Sequence, residues 1–342
     1  MEEVTIIGLD IAKQVFQAHG ADGSGAMVFS RRITRQKLVA FFASQPRCVV
    51  ALEACAGAHH WGRELQRMGH EVRLIPPAYV KPFVKRQKND AADAEAICEA
   101  AQRPTMRFVP VKSEAQQASA AVFRARDLLV RQRTQLLNAL RGLLAEHGWV
   151  APKGLFHASA MMAKIEDPSC ELPASARDVF LVMIASARAL DERIHLLDRE
   201  ITKRAREDET ARRLMTIPGI GPITATALLA LAPPPESFRK GRDFAAWVGL
   251  TPLQRSTGGK TKLGAISRMG DRTLRRLLII GASAVVLHVA RRGAPQGSWL
   301  AQMMARKPRM LVTVALANKM ARIVWVLLIK RENYRAPVAA KA

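Results

Sequence analysis

Apolar residues in the first hundred positions fall in short runs rather than long periodic stretches. Val4-Thr-Ile-Ile-Gly-Leu-Asp10 is one such run, closed by an acid, and residues 15–19 and 27–30 read as the next strands of a meander. Cys48-Val-Val-Ala-Leu-Glu53 is a second apolar run ending on an acid. A helix of about residues 59–68 follows, then a strand at 71–75 closed by Pro76-Pro77, and a helix of about residues 90–101. Strands and helices in this order predict an α/β domain over residues 1–104, a layered sheet flanked by helices.

The period changes after residue 104. Val122, Leu129, Leu136 and Leu143 recur every seven residues, and Met183, Ala187, Leu190, Ile194, Leu197 and Ile201 alternate spacings of four and three. That is an a/d seam, and it predicts two long helices in a coiled-coil region, residues 105–206. Between them, residues 148–173 read as irregular, with Pro152, Gly154 and Pro168. A hairpin, a dimerising arm, or two amphipathic helices inside one globule all satisfy the pattern. Residues 207–342 read as an all-α domain with Gly and Pro punctuation. Its longest apolar stretch, residues 310–329, is interrupted by Lys319 and Arg322, which suits a buried or interfacial helix better than a membrane span.

Charge adds the class of partner. The 342 residues hold 53 Lys and Arg against 29 Asp and Glu, a formal net charge of +24. Residues 1–104 carry 14 basic and 11 acidic side chains, residues 105–206 carry 16 and 11, and residues 207–342 carry 23 and 7. From Phe244 to Arg331 the only acid is Asp271. A surface so one-sided repels itself unless a polyanion neutralises it, and nucleic acid is the usual one. The hydrophobic fraction of 49% excludes disorder as the main state. Four cysteines without a CxxC pair, and no secretory leader, argue against a disulfide scaffold or zinc ribbon and for a reducing cytosol.

Three constellations could carry chemistry. Asp10 and Glu53 each end a strand-like run, so both can project from one edge of a sheet, while Asp90 and Asp93 share one face at the start of a helix. Magnesium favours a few carboxylates with water and substrate phosphates. Singly, Asp90 reads equally as a helix cap and Asp93 as a solvated charge; beside the basic Lys85, Arg86 and Lys88, the four together favour a metal-dependent nuclease site. The second constellation is Ile217-Pro-Gly-Ile-Gly-Pro222 between two helical stretches, a helix-hairpin-helix pattern in which Gly219 and Gly221 let a phosphate approach the backbone. A tight turn without a ligand has the same signature. The third is Ser256 before Thr257-Gly-Gly259, among Arg255, Lys260, Lys262, Arg268, Arg272, Arg275 and Arg276. No Ser-His-Asp arrangement is evident, so arginines around this serine suit a phosphodiester better than an ester. A Gly-rich phosphate-contacting loop in which Ser256 only hydrogen-bonds fits too.

In order along the chain stand Gly8-Leu-Asp10, Leu52-Glu53, Lys88-Asn-Asp90-Ala-Ala-Asp93, the 217–222 hairpin, and Gly249-Leu-Thr-Pro…Ser256-Thr-Gly-Gly-Lys…Gly-Asp271-Arg-Thr-Leu-Arg275. Over essentially its whole length the chain resembles transposases of the insertion-sequence-110 family, closest to the 1111 subgroup. That resemblance implies a RuvC-like, ribonuclease-H-type domain with a DEDD tetrad (Asp10, Glu53, Asp90, Asp93) binding Mg2+ or Mn2+. It also implies a coiled-coil region and a C-terminal domain whose Ser256 attacks DNA to form a phosphoserine link. Thr257 occupies the place of a second serine in some relatives. The implied partners are DNA at the element ends and target, a bridge RNA, and further copies of the chain in a tetramer, a dimer of dimers with composite active sites. Two alternatives remain: a metal-dependent Holliday-junction-type resolvase without a covalent intermediate, and a non-catalytic nucleic-acid-binding protein.

Overall fold

A computed structural model describes residues 3–85, 89–295 and 297–336. The chain divides into two compact units, residues 1–117 and 118–342.

The first unit is built on a five-stranded sheet. Strands β1 (Ile6–Asp10), β2 (Val15–Ala21) and β3 (Met27–Thr34) form an antiparallel meander, while β4 (Val49–Glu53) and β5 (Glu71–Ile75) add in parallel, giving the order β3-β2-β1-β4-β5. Helices α1 (Leu38–Ala43), α2 (Ala58–Arg67), α3 (Pro77–Val80) and α4 (Asp90–Ala101) cover it. Side chains alternate across a strand, so each strand splits its apolar residues between two layers. Ile7, Leu9, Val50 and Leu52 pack with Leu38, Phe42, Trp61 and Leu65 on the α1–α2 side. Ile6 and Ala51 face the other way and join Val80, Ala96, Ile97 and Ala101 on the α3–α4 side. The short run Leu38-Val-Ala-Phe-Phe-Ala43 is helical although its length carries no helical period.

In the second unit, α5 (Glu114–Ala145) and α7 (Ala174–Glu207) lie side by side. Ion pairs Arg126–Asp198 and Arg133–Asp191 join them, and as one partner advances seven residues the other retreats seven, so the helices run antiparallel within one chain. The buried seam differs from the expected heptad on α5. Leu137, Leu140 and Leu144 are buried while Leu143 is exposed. The stretch 148–173, expected to be irregular, contains α6 (Ala158–Glu166), whose Met161 and Ile165 pack against Phe180 and Ile184 of α7.

Helices α8 (Glu209–Leu214), α9 (Pro222–Leu231), α10 (Gly241–Trp247), α11 (Arg272–Arg292), α12 (Trp299–Arg306) and α13 (Arg309–Lys330) complete the unit. Phe244, Leu274, Leu278, Met320 and Val324 share its core. By length and composition α11 and α13 could cross a membrane, but most of their buried hydrophobic residues belong to that core. One departure from the helical expectation stands out. Strands β6 (Pro252–Gln254) and β7 (Leu263–Ile266) form a two-stranded antiparallel ribbon between α10 and α11.

Candidate active site

The carboxylate end of the first unit follows from strand parity. Asp10 shares a face with Ile6 and Gly8, and Glu53 shares one with Ala51, so both acids point to the α4 side. Strands β1 and β4 are parallel neighbours with Leu9 opposite Leu52, and each acid is the next and last residue of its strand. The carboxyl ends of adjacent parallel strands are where open α/β sheets place their ligand sites.

Helix α4 begins at the same end. Asn89 caps it, its Oδ1 accepting from Ala92 N at 2.8 Å, so Asp90 does not serve as the cap. Asp90 and Asp93 occupy the first turn, where carboxylates are favoured by the helix dipole. The approach of α4 to β1 depends on Gly8. A Cβ there would lie 2.3 Å from the Ala94 carbonyl oxygen and 2.6 Å from the Cys98 nitrogen, so any side chain would push the helix and both its acids away.

Asp10 feels the other three carboxylates. Burial, then Asp93, Asp90 and Glu53, push the Asp10 carboxyl from 3.8 up to about 6, opposed only by a bond from the Ile11 amide. Among the described residues neither Asp90 nor Asp93 forms an ion pair with Lys or Arg. Equally, no three His, Cys, Asp or Glu side chains among the described residues close into a metal-ligating group. The acids are therefore coupled neighbours rather than a tight cage. As a donor set, four carboxylates offer hard oxygens of the kind that a hard divalent cation prefers.

Nearby residues take supporting parts. Gln17, opposite Asp10 in the β1–β2 register, donates to Ser30 Oγ at 2.9 Å. His59 Nδ1 accepts from Lys112 N at 3.1 Å, which makes it structural. Lys85 Nζ bonds Glu95 at 2.6 Å. Arg86 and Lys88 lie outside the described residues.

Ser256 sits on the exposed ribbon. Thr257-Gly258-Gly259-Lys260 is a two-residue hairpin turn: Gly258 and Gly259 have φ of +54° and +75°, and Lys260 N donates to Thr257 O at 3.0 Å. Positive φ at both central positions is the signature of a primed turn, which suits the ribbon's twist. Residues 252–265 are all exposed, including Ser256, Arg255, Lys260 and Lys262. The Gln254 side-chain amide donates to Ser256 Oγ at 2.9 Å. Sequence reasoning missed this residue; the Thr-Gly-Gly-Lys turn was the signal that could have exposed the strand carrying it.

The basic residues divide by use. Arg275 Nη1 donates to the carbonyls of Val248 and Met269, at 2.9 and 2.7 Å, and its desolvated guanidinium is held below its ordinary pKa. Arg276 pairs with Asp127. Arg268 and Arg272 are exposed, and Asp271 caps α11 through a 2.8 Å bond from Leu274 N. In the turn between α8 and α9, Gly219 is committed to packing: a Cβ on it would lie 2.7 Å from Gly281 O of α11, and one on Gly281 would lie 2.0 Å from Gly219 O. A Cβ on Gly221 would meet nothing within 4 Å.

Two family models match the chain. Residues 7–148 match a DEDD-type IS110 model described as "Transposase", and residues 211–296 match "Transposase IS116/IS110/IS902 family". The chain is 48% identical over 337 residues to the "Putative transposase y4pF/y4sB" of Sinorhizobium fredii, covering 98% of this chain and 87% of the relative. It is 41% identical to the transposase for insertion sequence element IS1328 of Yersinia enterocolitica, over 96% of this chain and 97% of that one. With the transposase for IS1111A of Coxiella burnetii the identity is 39%, over 98% and 92%. The chain belongs to the IS110/IS116/IS902 family of transposases. It is thus an enzyme that acts on DNA, and its DEDD-type domain points to dependence on a divalent metal.

Proposed function

We propose that this transposase is a bridge-RNA-guided DNA recombinase that cuts and rejoins strands at insertion-sequence ends and target, using Asp10, Glu53, Asp90 and Asp93 together with Ser256. The observation that carries the reading is the convergence of the four acids at one sheet end, expressed in the upward shift of Asp10. The strand order β3-β2-β1-β4-β5, with β2 antiparallel, supports a RuvC-like, ribonuclease-H-type domain. The helix–turn–helix of α8 and α9 supports a helix-hairpin-helix, and the paired α5 and α7 support a coiled-coil arm. Bridge RNA, the tetramer and composite sites come to the proposal from the family resemblance. In that division of labour RNA pairing chooses the sequence while the protein grips backbone and shape.

The four carboxylates would hold Mg2+ or Mn2+. A cation held there would supply positive charge to offset that of the scissile phosphodiester. The chain's own residues do the rest. Asp90 and Asp93 are presented by the rigid first turn of α4, and Asp10 and Glu53 by paired strands, so the site's charge is fixed before substrate arrives. Exposed Arg255, Lys260, Lys262, Arg268 and Arg272 grip phosphates around Ser256. Ser256 Oγ attacks phosphorus: the Oγ–P bond forms, the P–O bond to the leaving nucleoside breaks, the serine proton passes to water, and the leaving oxygen is protonated. A second strand end reverses the step and rejoins the DNA.

One observation favours a second reading, a metal-dependent resolvase that hydrolyses without a covalent intermediate. Among the described residues the hydrogen-bond partner of Ser256 Oγ is a donor, Gln254, and not a base. Ser256→Ala separates the two. The recombinase reading expects no covalent protein–DNA adduct and loss of strand cleavage with DNA binding retained; full cleavage by that variant would remove the serine from the mechanism.

A further inference from the structure

Gln254 and Ser256 are two apart on an extended segment, so their side chains leave the same side of the ribbon. The backbone around them is framed. Gln254 stands opposite Leu263, Arg255 N donates to Lys262 O at 2.8 Å, and Thr257 bridges Lys260 at the turn. An exposed serine held by nothing samples three χ1 rotamers. Here the 2.9 Å bond from Gln254 Nε2 favours the rotamer that keeps Oγ within reach of the amide.

We propose that Gln254 is a positioning residue for the nucleophile, holding Ser256 Oγ in one orientation and donating to the oxygen as it sheds its proton. This inference rests on the assignment of Ser256 as the attacking group. A neutral amide cannot accept the serine proton, which goes to water as the Oγ–P bond forms and the P–O bond to the leaving nucleoside breaks. What the amide does is stabilise the electron-rich oxygen more than the hydroxyl, because a hydrogen bond donated to a group gaining negative charge strengthens. The ribbon itself is exposed, so a fixed donor supplies the preorganisation that burial supplies elsewhere.

The test uses the full-length protein and a supercoiled plasmid carrying an element with its flanking non-coding DNA. Initial cleavage rate is measured against pH, covalent adduct after denaturation, and DNA affinity in parallel. Gln254→Ala is expected to lower the rate about tenfold, the worth of one hydrogen bond, with affinity within about twofold of the parent. It should also move the rising limb of the pH–rate profile to higher pH. Gln254→Glu keeps the shape and removes the donor, and should lose at least as much. Wild-type rates and an unchanged profile in both variants, with no adduct from Ser256→Ala, would overturn the role of Gln254 and leave the serine assignment standing. A rate loss matched by an equal loss of affinity, with the profile unmoved, would make Gln254 a DNA contact and overturn it too. An adduct persisting in Ser256→Ala would remove the nucleophile and the positioning role together.

Discussion

The carboxylate end and the serine ribbon solve opposite problems. Asp10 and Glu53 end fully paired strands whose Ile7, Leu9, Val50 and Leu52 are buried, and α4 is seated on β1 with no room for one extra carbon at Gly8. Like charges repel, and the packed scaffold holds these acids near one another. Ser256 rides on seven strand residues with no buried side chain among them. Its surroundings are cationic, and a bound phosphodiester would be what orders them. One region is made rigid by its core; the other is exposed, and in the proposed function it would meet a large polyanion.

The sharpest way to break that contrast is Gly8→Val. With a Cβ 2.3 Å from the Ala94 carbonyl, the variant must displace α4. Overpacking of this kind costs about 3 kcal/mol or more. Thermal unfolding should show a large loss of stability, and strand cleavage should vanish even below the new melting temperature, because Asp90 and Asp93 move with the helix. Wild-type cleavage by a stably folded Gly8→Val protein would show that α4 does not set the site.

Asp10→Asn is a smaller effect of opposite sign. Asp10 has its folded pKa raised to about 6 from 3.8, so in metal-free protein its contribution to stability is fully present below about pH 3.8 and lost as pH rises through about 6. Asparagine removes that loss. The metal-free variant should therefore match the parent near pH 3.5 and be more stable at pH 8, by about 1–2 kcal/mol once solvent screening of a half-buried group is allowed for. Adding Mg2+ or Mn2+ at pH 8 should raise the parent's melting temperature more than the variant's. Equal melting temperatures at pH 8 without metal would refute the coupling.

The smallest effect belongs to the ribbon. Gly259→Ala meets no atom within 4 Å and strains only a φ of +75°, so global stability should fall by about 1 kcal/mol or less. Calorimetry on the metal-free chain should find the melting temperature shifted by a few degrees at most, against the collapse expected for Gly8→Val.

Much of the first unit was legible in the sequence because its strands are buried and bounded. The runs ending at Asp10 and Glu53, the strand at 71–75 and the helix at 90–101 all appear where the apolar pattern puts them. Parity then delivers both acids to one face without further information. The ribbon was not legible for a physical reason. Pro252, Leu253 and Gln254 are all exposed, so neither face of β6 has an apolar partner and no alternation can form. Only the turn chemistry of Thr257–Lys260 marks it. Asn89 as the cap of α4 was hidden by its neighbour Asp90, which has the same capping chemistry one position later. On α5 the seven-residue spacing was real, yet the seam fell one position over for Leu136→Leu137 and Leu143→Leu144, since the partner helix and α6 together choose which stripe is covered.

The contact between Gly219 and Gly281 has a mechanical consequence. Two backbones touch there without side chains between them, so the turn preceding α9 cannot slide along α11 without lifting off it. Helix α11 in turn starts at Arg272, directly beyond the strand that returns from Ser256, and its first turn is fastened by Asp271 and Arg275. The turn and the root of the ribbon are thus joined through one stiff strut. In the proposed recombination, α11 would carry movement of the turn to the loop that holds Ser256.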